Sequence, residues 1–207
     1  NDMAEGIFYD GANNKVVITA TGNNASDLYV NGVRIGLGKN AEADATVVGC
    51  NALANNVSGA RLTAVGWQSM GLNTTGSYST AFGAETLLSN TTGSSNTAVG
   101  WRGLKFNTTG SGNTVMGSDS MQFNTTGLCN VAVGQKALCC NTTGHYNIAV
   151  GQAAMLNNSS GAGNVAVGQS ALCTNSTSYN VAVGYESLKS ASGNYIIGIG
   201  YQAGESS

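Results

Sequence analysis

Few residues in this chain are equipped for acid–base, nucleophilic or metal chemistry. The one histidine, His145, follows Cys139 and Cys140, and a Cys-Cys-x-x-x-x-His cluster has donor types that bind metals. His145 falls, however, in a variable turn position of a repeat whose other copies carry Ser77, Ser94 and Ser111, so it reads as a turn residue. A Cys-His nucleophile pair would need a third group to orient the base, and none is suggested. Glu85, Asp119 and Glu186 are sparse carboxylates, and Glu85 and Asp119 fall two repeats apart without glycosidase-like pairing. No catalytic residue, metal or cofactor is expected, and the chain is not expected to be an enzyme. Five cysteines, Cys50, Cys129, Cys139, Cys140 and Cys173, show no C-x-x-C pairing. Cys139 and Cys173 share a repeat position but lie two coils apart, roughly 9–10 Å, too far for a disulfide. They read as free, partly buried thiols, with a bridge between chains as the alternative.

The aromatics say more. Trp67, Trp101, Tyr185 and Tyr201 each directly follow a periodic glycine, and Tyr78, Tyr146 and Tyr179 share a second position just before a strand. Exposed on a polar rod they could stack on sugar rings; the alternative is packing over the coil edge or at a chain interface. A regular threonine column could order water as ice-binding solenoids do, but these threonines stand in a turn beside Asn and Gly. Asn73, Asn90, Asn107, Asn124 and Asn141 fit a glycosylation sequon because the turn itself recurs.

The elements that must carry these residues follow from a period. Gly49, Gly66, Gly83, Gly100, Gly117, Gly134, Gly151 and Gly168 are spaced by seventeen residues, and the next steps, to Gly184 and Gly200, are sixteen. Such a period marks a stack of small units, each burying its apolar face on the next. A Leu/Met position (Leu53, Met70, Leu87, Leu104, Met121, Leu138, Met155, Leu172, Leu188) and a position before each glycine (Val65, Phe82, Val99, Met116, Val133, Val150, Val167, Val183) are apolar in every copy. Both are expected to point inward. So is the column two residues earlier, Thr63 to Val181, because a strand alternates with period two. Between them runs an alanine column, broken only by Val115. Alanine on the opposite face implies close approach, and a neighbouring chain is expected to cover it. The Asn-Thr-Thr-Gly segments are tight bends, with Asn bonding its own backbone and Gly supplying a positive φ. Each repeat therefore reads as two short strands joined by two bends. About nine such coils at the strand spacing give a rod on the order of 40 Å long.

Composition narrows the classes. The 207 residues include 30 Gly, no Pro and 9% charged residues, for a net charge of −2. No basic stripe suggests nucleic acid. No apolar run is long enough to cross a bilayer and no secretory signal is read, so no membrane insertion is expected. The first residue is not Met and the end is abrupt, which reads as a piece of a longer chain. Residues 1–38 do not repeat; Ile7-Phe8-Tyr9, Val16-Val17-Ile18-Thr19 and Leu28-Tyr29-Val30 alternate with turn signals such as Asn31-Gly32. They are expected to form a small antiparallel β cap or adaptor on a repeat domain spanning 39–207, since an open solenoid end is an exposed sheet edge.

Asn130-Val131-Ala132-Val133-Gly134-Gln135-Lys136-Ala137-Leu138 and Asn180-Val181-Ala182-Val183-Gly184-Tyr185-Glu186-Ser187-Leu188 resemble the head repeat of trimeric autotransporter adhesins. Similar repeats with Asn-Thr-Thr-Gly turns occur in bacteriophage tail fibres, and the resemblance covers residues 45 to 204. It implies an all-β, left-handed parallel β-roll or solenoid, assembled as a homotrimer, that binds a host cell-surface receptor such as a glycan. The chain departs from the adhesin heads in its longer repeat. That departure and the N-terminal β unit favour a structural and receptor-binding segment of a phage tail fibre, on the virion. A bacterial adhesin head at the cell surface and an ice-binding solenoid are the alternatives.

Overall fold

A computed structural model describes residues 6–10, 15–19, 28–30, 33–36, 44–174 and 176–204. Gly6–Asp10 (β1) and Lys15–Thr19 (β2) pair antiparallel as a two-stranded sheet. Leu28–Val30 (β3) and Val33–Gly36 (β4) form a second antiparallel pair. Ten rungs follow: Thr46–Val48 (β5), Thr63–Val65 (β6), Thr80–Phe82 (β7), Thr97–Val99 (β8), Thr114–Met116 (β9), Val131–Val133 (β10), Ile148–Val150 (β11), Val165–Val167 (β12), Val181–Val183 (β13) and Ile197–Ile199 (β14). They stack in parallel and in sequence order, with Val131 opposite Ile148 and Ile148 opposite Val165. β4 joins antiparallel to β5, so the β3–β4 pair completes the N-terminal edge of one twelve-stranded sheet. The result is a β-solenoid of about nine coils with some seventeen residues per turn, and no helix among the described residues. The Asn31-Gly32 turn and the lead-in at 37–43 lie outside the described residues.

The coil holds one strand, not the two expected of each repeat. The Leu/Met segment is a run of turns because two residues in it take left-handed backbone: Lys136 at φ 56 and Leu138 at φ 53 in one coil, Arg102 at 58 and Leu104 at 52 in another. A non-glycine residue there costs about 1–2 kcal/mol. Hydrogen bonds along the stack hold it, with Lys136 N–H donating to Ser118 O and Leu138 N–H to Ala154 O, each at 2.9 Å. The periodic glycine takes a backbone open only to glycine: Gly134 has φ 132, and a Cβ there would lie 2.6 Å from the Gly151 carbonyl oxygen.

The faces of the strand are the reverse of those expected. The alanine column lies inside the coil, with Ala64, Ala81, Ala98, Ala132, Ala149, Ala166 and Ala182 fully buried against the equally buried Leu/Met column. The coil is thin. Opposite Leu or Met the space is filled by a methyl in most coils and by a buried valine in two, Val47 and Val115. In the last coil, where Gly198 takes the alanine position, an added Cβ would sit 2.6 Å from Leu188 Cγ. The residues flanking each alanine point outward, so Phe82 is 55% and Met116 54% exposed.

The Asn-Thr-Thr-Gly corner also differs from expectation. Gly76 is not in the left-handed region. Its glycine is required by close approach, because a Cβ would fall 2.7 Å from Asn73 Oδ1 and 2.8 Å from Asn90 Nδ2. Asn73 does bond locally, donating to Gly76 O at 3.0 Å. It also donates to Asn56 Oδ1 at 2.9 Å one coil back, and Asn90, Asn107, Asn124 and Asn141 repeat this link at 2.7–2.8 Å. A second column, Asn96, Asn113, Asn130, Asn147 and Asn164, is linked at 3.1–3.2 Å. Both columns are buried. The interior thus has an apolar half of Ala, Leu and Met and a polar half of stacked carboxamides, whose burial is tolerated because the bonds are made.

Candidate functional site

With the interior filled by one chain, function is left to the outer faces. Each strand presents two outward columns. The first reads Thr46, Thr63, Thr80, Thr97 and Thr114, then Val131, Ile148, Val165, Val181 and Ile197; the second is Val, Phe, Met or Ile from Val48 to Ile199. No position in either column is charged. Ile148, Val167 and Val183 are 41%, 37% and 37% exposed. This is a continuous uncharged stripe along the stack.

The expected aromatic positions flank it. Trp67, Trp101, Tyr185 and Tyr201 follow the strands, Tyr78, Tyr146 and Tyr179 precede them, and all are exposed. They do not form unbroken ladders, since alanine, serine, glutamine, glycine or cysteine occupies the intervening coils. Two pairs do stack: Tyr185 on Tyr201 at 5.4 Å between ring centroids, and Tyr179 on Tyr195 at 5.3 Å. Tyr195 was not singled out in the sequence, because the last coil is one residue short; allowing for the sixteen-residue step would have found it. Arg102 lies over the Trp101 ring at 3.9 Å, and Arg61 donates to the Tyr78 hydroxyl at 2.8 Å. Another exposed pair, Phe106 on Phe123 at 5.4 Å, stands at the position two residues beyond Leu/Met.

Several titratable groups hold coils together. Glu85 receives Lys105 Nζ at 2.7 Å and Arg102 Nε at 2.8 Å, which hold its carboxyl below the usual range. Glu186 is likewise lowered by Lys189 at 2.7 Å and by Gln202. His145 Nδ1 accepts the Leu128 N–H at 2.9 Å, taking over the part that Ser94 and Ser111 hydroxyls play in earlier coils. The cysteines are free, with Cys50 and Cys129 exposed and Cys139 buried; burial pushes the Cys139 thiol up to about 11. Among the described residues no three His, Cys, Asp or Glu side chains gather as a metal site, and no helix is long and apolar enough to cross a membrane.

The corner threonines divide in role. Thr74, Thr91, Thr108, Thr125 and Thr142 donate their hydroxyls to the carbonyl of the next coil at 2.8–3.0 Å. The second threonines, Thr75 to Thr143, are exposed. The sequon asparagines at these corners are buried in the inner carboxamide column.

These surfaces belong to a repetitive β-solenoid. No family model, curated protein or solved structure matches the chain.

Proposed function

We propose that this chain is a structural and receptor-binding segment of a phage tail fibre, built as a parallel homotrimer of left-handed β-rolls. The supporting observation is the uncharged outward stripe of the strands. Ten rungs at the strand spacing make it about 43 Å long, and with the flanking aromatic columns it is about 20 Å wide. Roughly 850 Å² results, close to what one partner gives to a standard protein interface. Its apolar groups recur once per coil. A covering surface must therefore share that axial repeat, and a parallel, in-register copy of the same chain does. The threefold number rests on the resemblance to trimeric adhesin heads. Sister chains thus cover the Val and Thr columns, in place of the alanine column that the sequence suggested.

The mechanism is display. Stacked coils hold their corner loops outward at fixed spacing, and several copies multiply weak contacts with a host surface, for which a glycan is the proposed receptor. The ice-binding alternative is weaker, because one threonine hydroxyl of each Asn-Thr-Thr-Gly corner is taken up by the next coil and the outward threonine column of the strands gives way to aliphatic residues after Thr114.

Light scattering tests the assembly. The expected mass is about three times the 20.8 kDa of one chain. Ile148→Asp with Val167→Asp should dissociate it while leaving the fold intact, since both side chains are exposed in the single chain. A parent protein that runs as a monodisperse monomer overturns the reading. Trp67→Ala and Trp101→Ala then ask, on host cells, whether the aromatic column makes receptor contacts.

A further inference from the structure

One position of the stack is missing its side chain. The residue after the buried Leu/Met is Leu88, Lys105, Gln122, Cys139 and Leu156 in successive central coils, but Gly71 in the coil that starts at Gly66. The backbone torsion does not require glycine there, although a Cβ would come 3.3 Å from the Gln68 carbonyl oxygen. Gly71 is outside the left-handed region, and an added Cβ would first meet Leu88 Cδ1 at 3.1 Å, the flexible end of a side chain. The gap opens an exposed hollow of about 260 Å³.

Its lining is chemically selective. Three carboxamides, Asn51, Asn55 and Gln68, stand around it, with Leu72 and Leu88 as apolar walls. Asn55 Nδ2 donates to Gly71 O at 2.7 Å, which fixes that amide in place. The side chains of Asn51 and Gln68 make no hydrogen bond among the described residues. No charged residue lines the hollow, and the nearby Glu85 is already paired with Lys105 and Arg102.

We propose that this notch is a subsite for one neutral saccharide ring. A carboxamide offers a donor and an acceptor side by side and so matches vicinal hydroxyl groups. Leucine side chains suit the C–H face of the ring. The absence of a cation disfavours phosphate, sulfate or sialic acid. The volume is below the roughly 300 Å³ where drug-sized pockets begin, so it accommodates a single ring and not a nucleotide. The biological role rests on the receptor-display reading, but the binding itself does not.

The test is a glycan array with neutral hexose and N-acetylhexosamine probes beside sialylated and sulfated ones, using the parent chain, Gly71→Leu, and Asn51→Ala with Gln68→Ala. Gly71→Leu places in the notch the residue that Leu88 and Leu156 already carry at this position, so its melting temperature should hold or rise. The expected result is binding of at least one neutral glycan, lost tenfold or more in Gly71→Leu and weakened in the carboxamide variant. A parent that binds no neutral glycan, or binding that survives Gly71→Leu, overturns the proposal. Neutral-glycan binding by a monomeric parent would retain the notch and reject the trimer; a trimer that binds no neutral glycan would do the reverse.

Discussion

A leucine with left-handed backbone is an expensive residue, and this chain repeats it coil after coil: Leu87 at φ 51, Leu104 at 52, Leu138 at 53. The third left-handed position, just before the strand, varies more freely. Ser95 stands there at φ 58 while Gly112 and Gly163 hold it at 70 and 68. Ser95 is exposed. Ser95→Gly should therefore raise the denaturation midpoint, by about 0.5–1 kcal/mol once glycine's greater unfolded entropy is subtracted. Gly134→Ala should lose about 3 kcal/mol or more, from strain and from the clash with the Gly151 carbonyl. A chemical-denaturation series on both variants checks the pair, and equal effects would contradict the backbone account. The glycine column was legible in the sequence. The left-handed Leu and Met were not, because these residue types avoid that conformation and only the stack imposes it.

At the scale of the element, the coil is held by bonds that run between coils. Asn107 donates to Asn90 Oδ1 at 2.8 Å and accepts from Asn124 at 2.7 Å inside the buried column. Asn107→Ala leaves Asn90 Oδ1 without a donor and Asn124 Nδ2 with only its bond to Gly127 O, and should cost about 2–4 kcal/mol. Thr109→Ala, at the exposed threonine two residues on, should cost within about 0.5 kcal/mol. Amide exchange should localise the first loss to the corners on either side. The Asn-Thr-Thr-Gly turn was legible as a turn, but the inter-coil half of its chemistry was missed. Asparagine is a familiar local bonder, and its second partner is seventeen residues away. The strand was also legible, with its period of two. Which face turned inward was not, because valine is the more apolar residue and the decision rests on the width of the coil. Leu138 and Ala132 are both fully buried in it, and a valine replaces the alanine in only two rungs, at Val47 and Val115.

At the scale of the molecule, the outward stripe changes character halfway. Its first column is threonine from Thr46 to Thr114 and aliphatic from Val131 to Ile197. If the stripe is the seam between copies, the second half is the drier and stronger one. Val131→Thr with Val165→Thr should then weaken assembly by about 1 kcal/mol for each site in each chain, and Thr80→Val with Thr97→Val should strengthen it by a similar amount. Light scattering through a urea series reads both changes as opposite shifts in the dissociation midpoint. Shifts of the same sign, or none, would remove the seam from this face.

The rungs bond only to the rung before and the rung after. Length is therefore a count, independent of the cross-section. Duplicating one winding would extend the reach by a single step of about 4.8 Å and repeat the same outward address once more. The two sixteen-residue steps near the end show where the count forgives an error: a residue is dropped around the asparagine corner, yet Asn180 N–H still donates to Asn164 Oδ1 at 2.9 Å. Such a ruler can be lengthened by copying a short stretch of sequence, with no redesign of what lies inside.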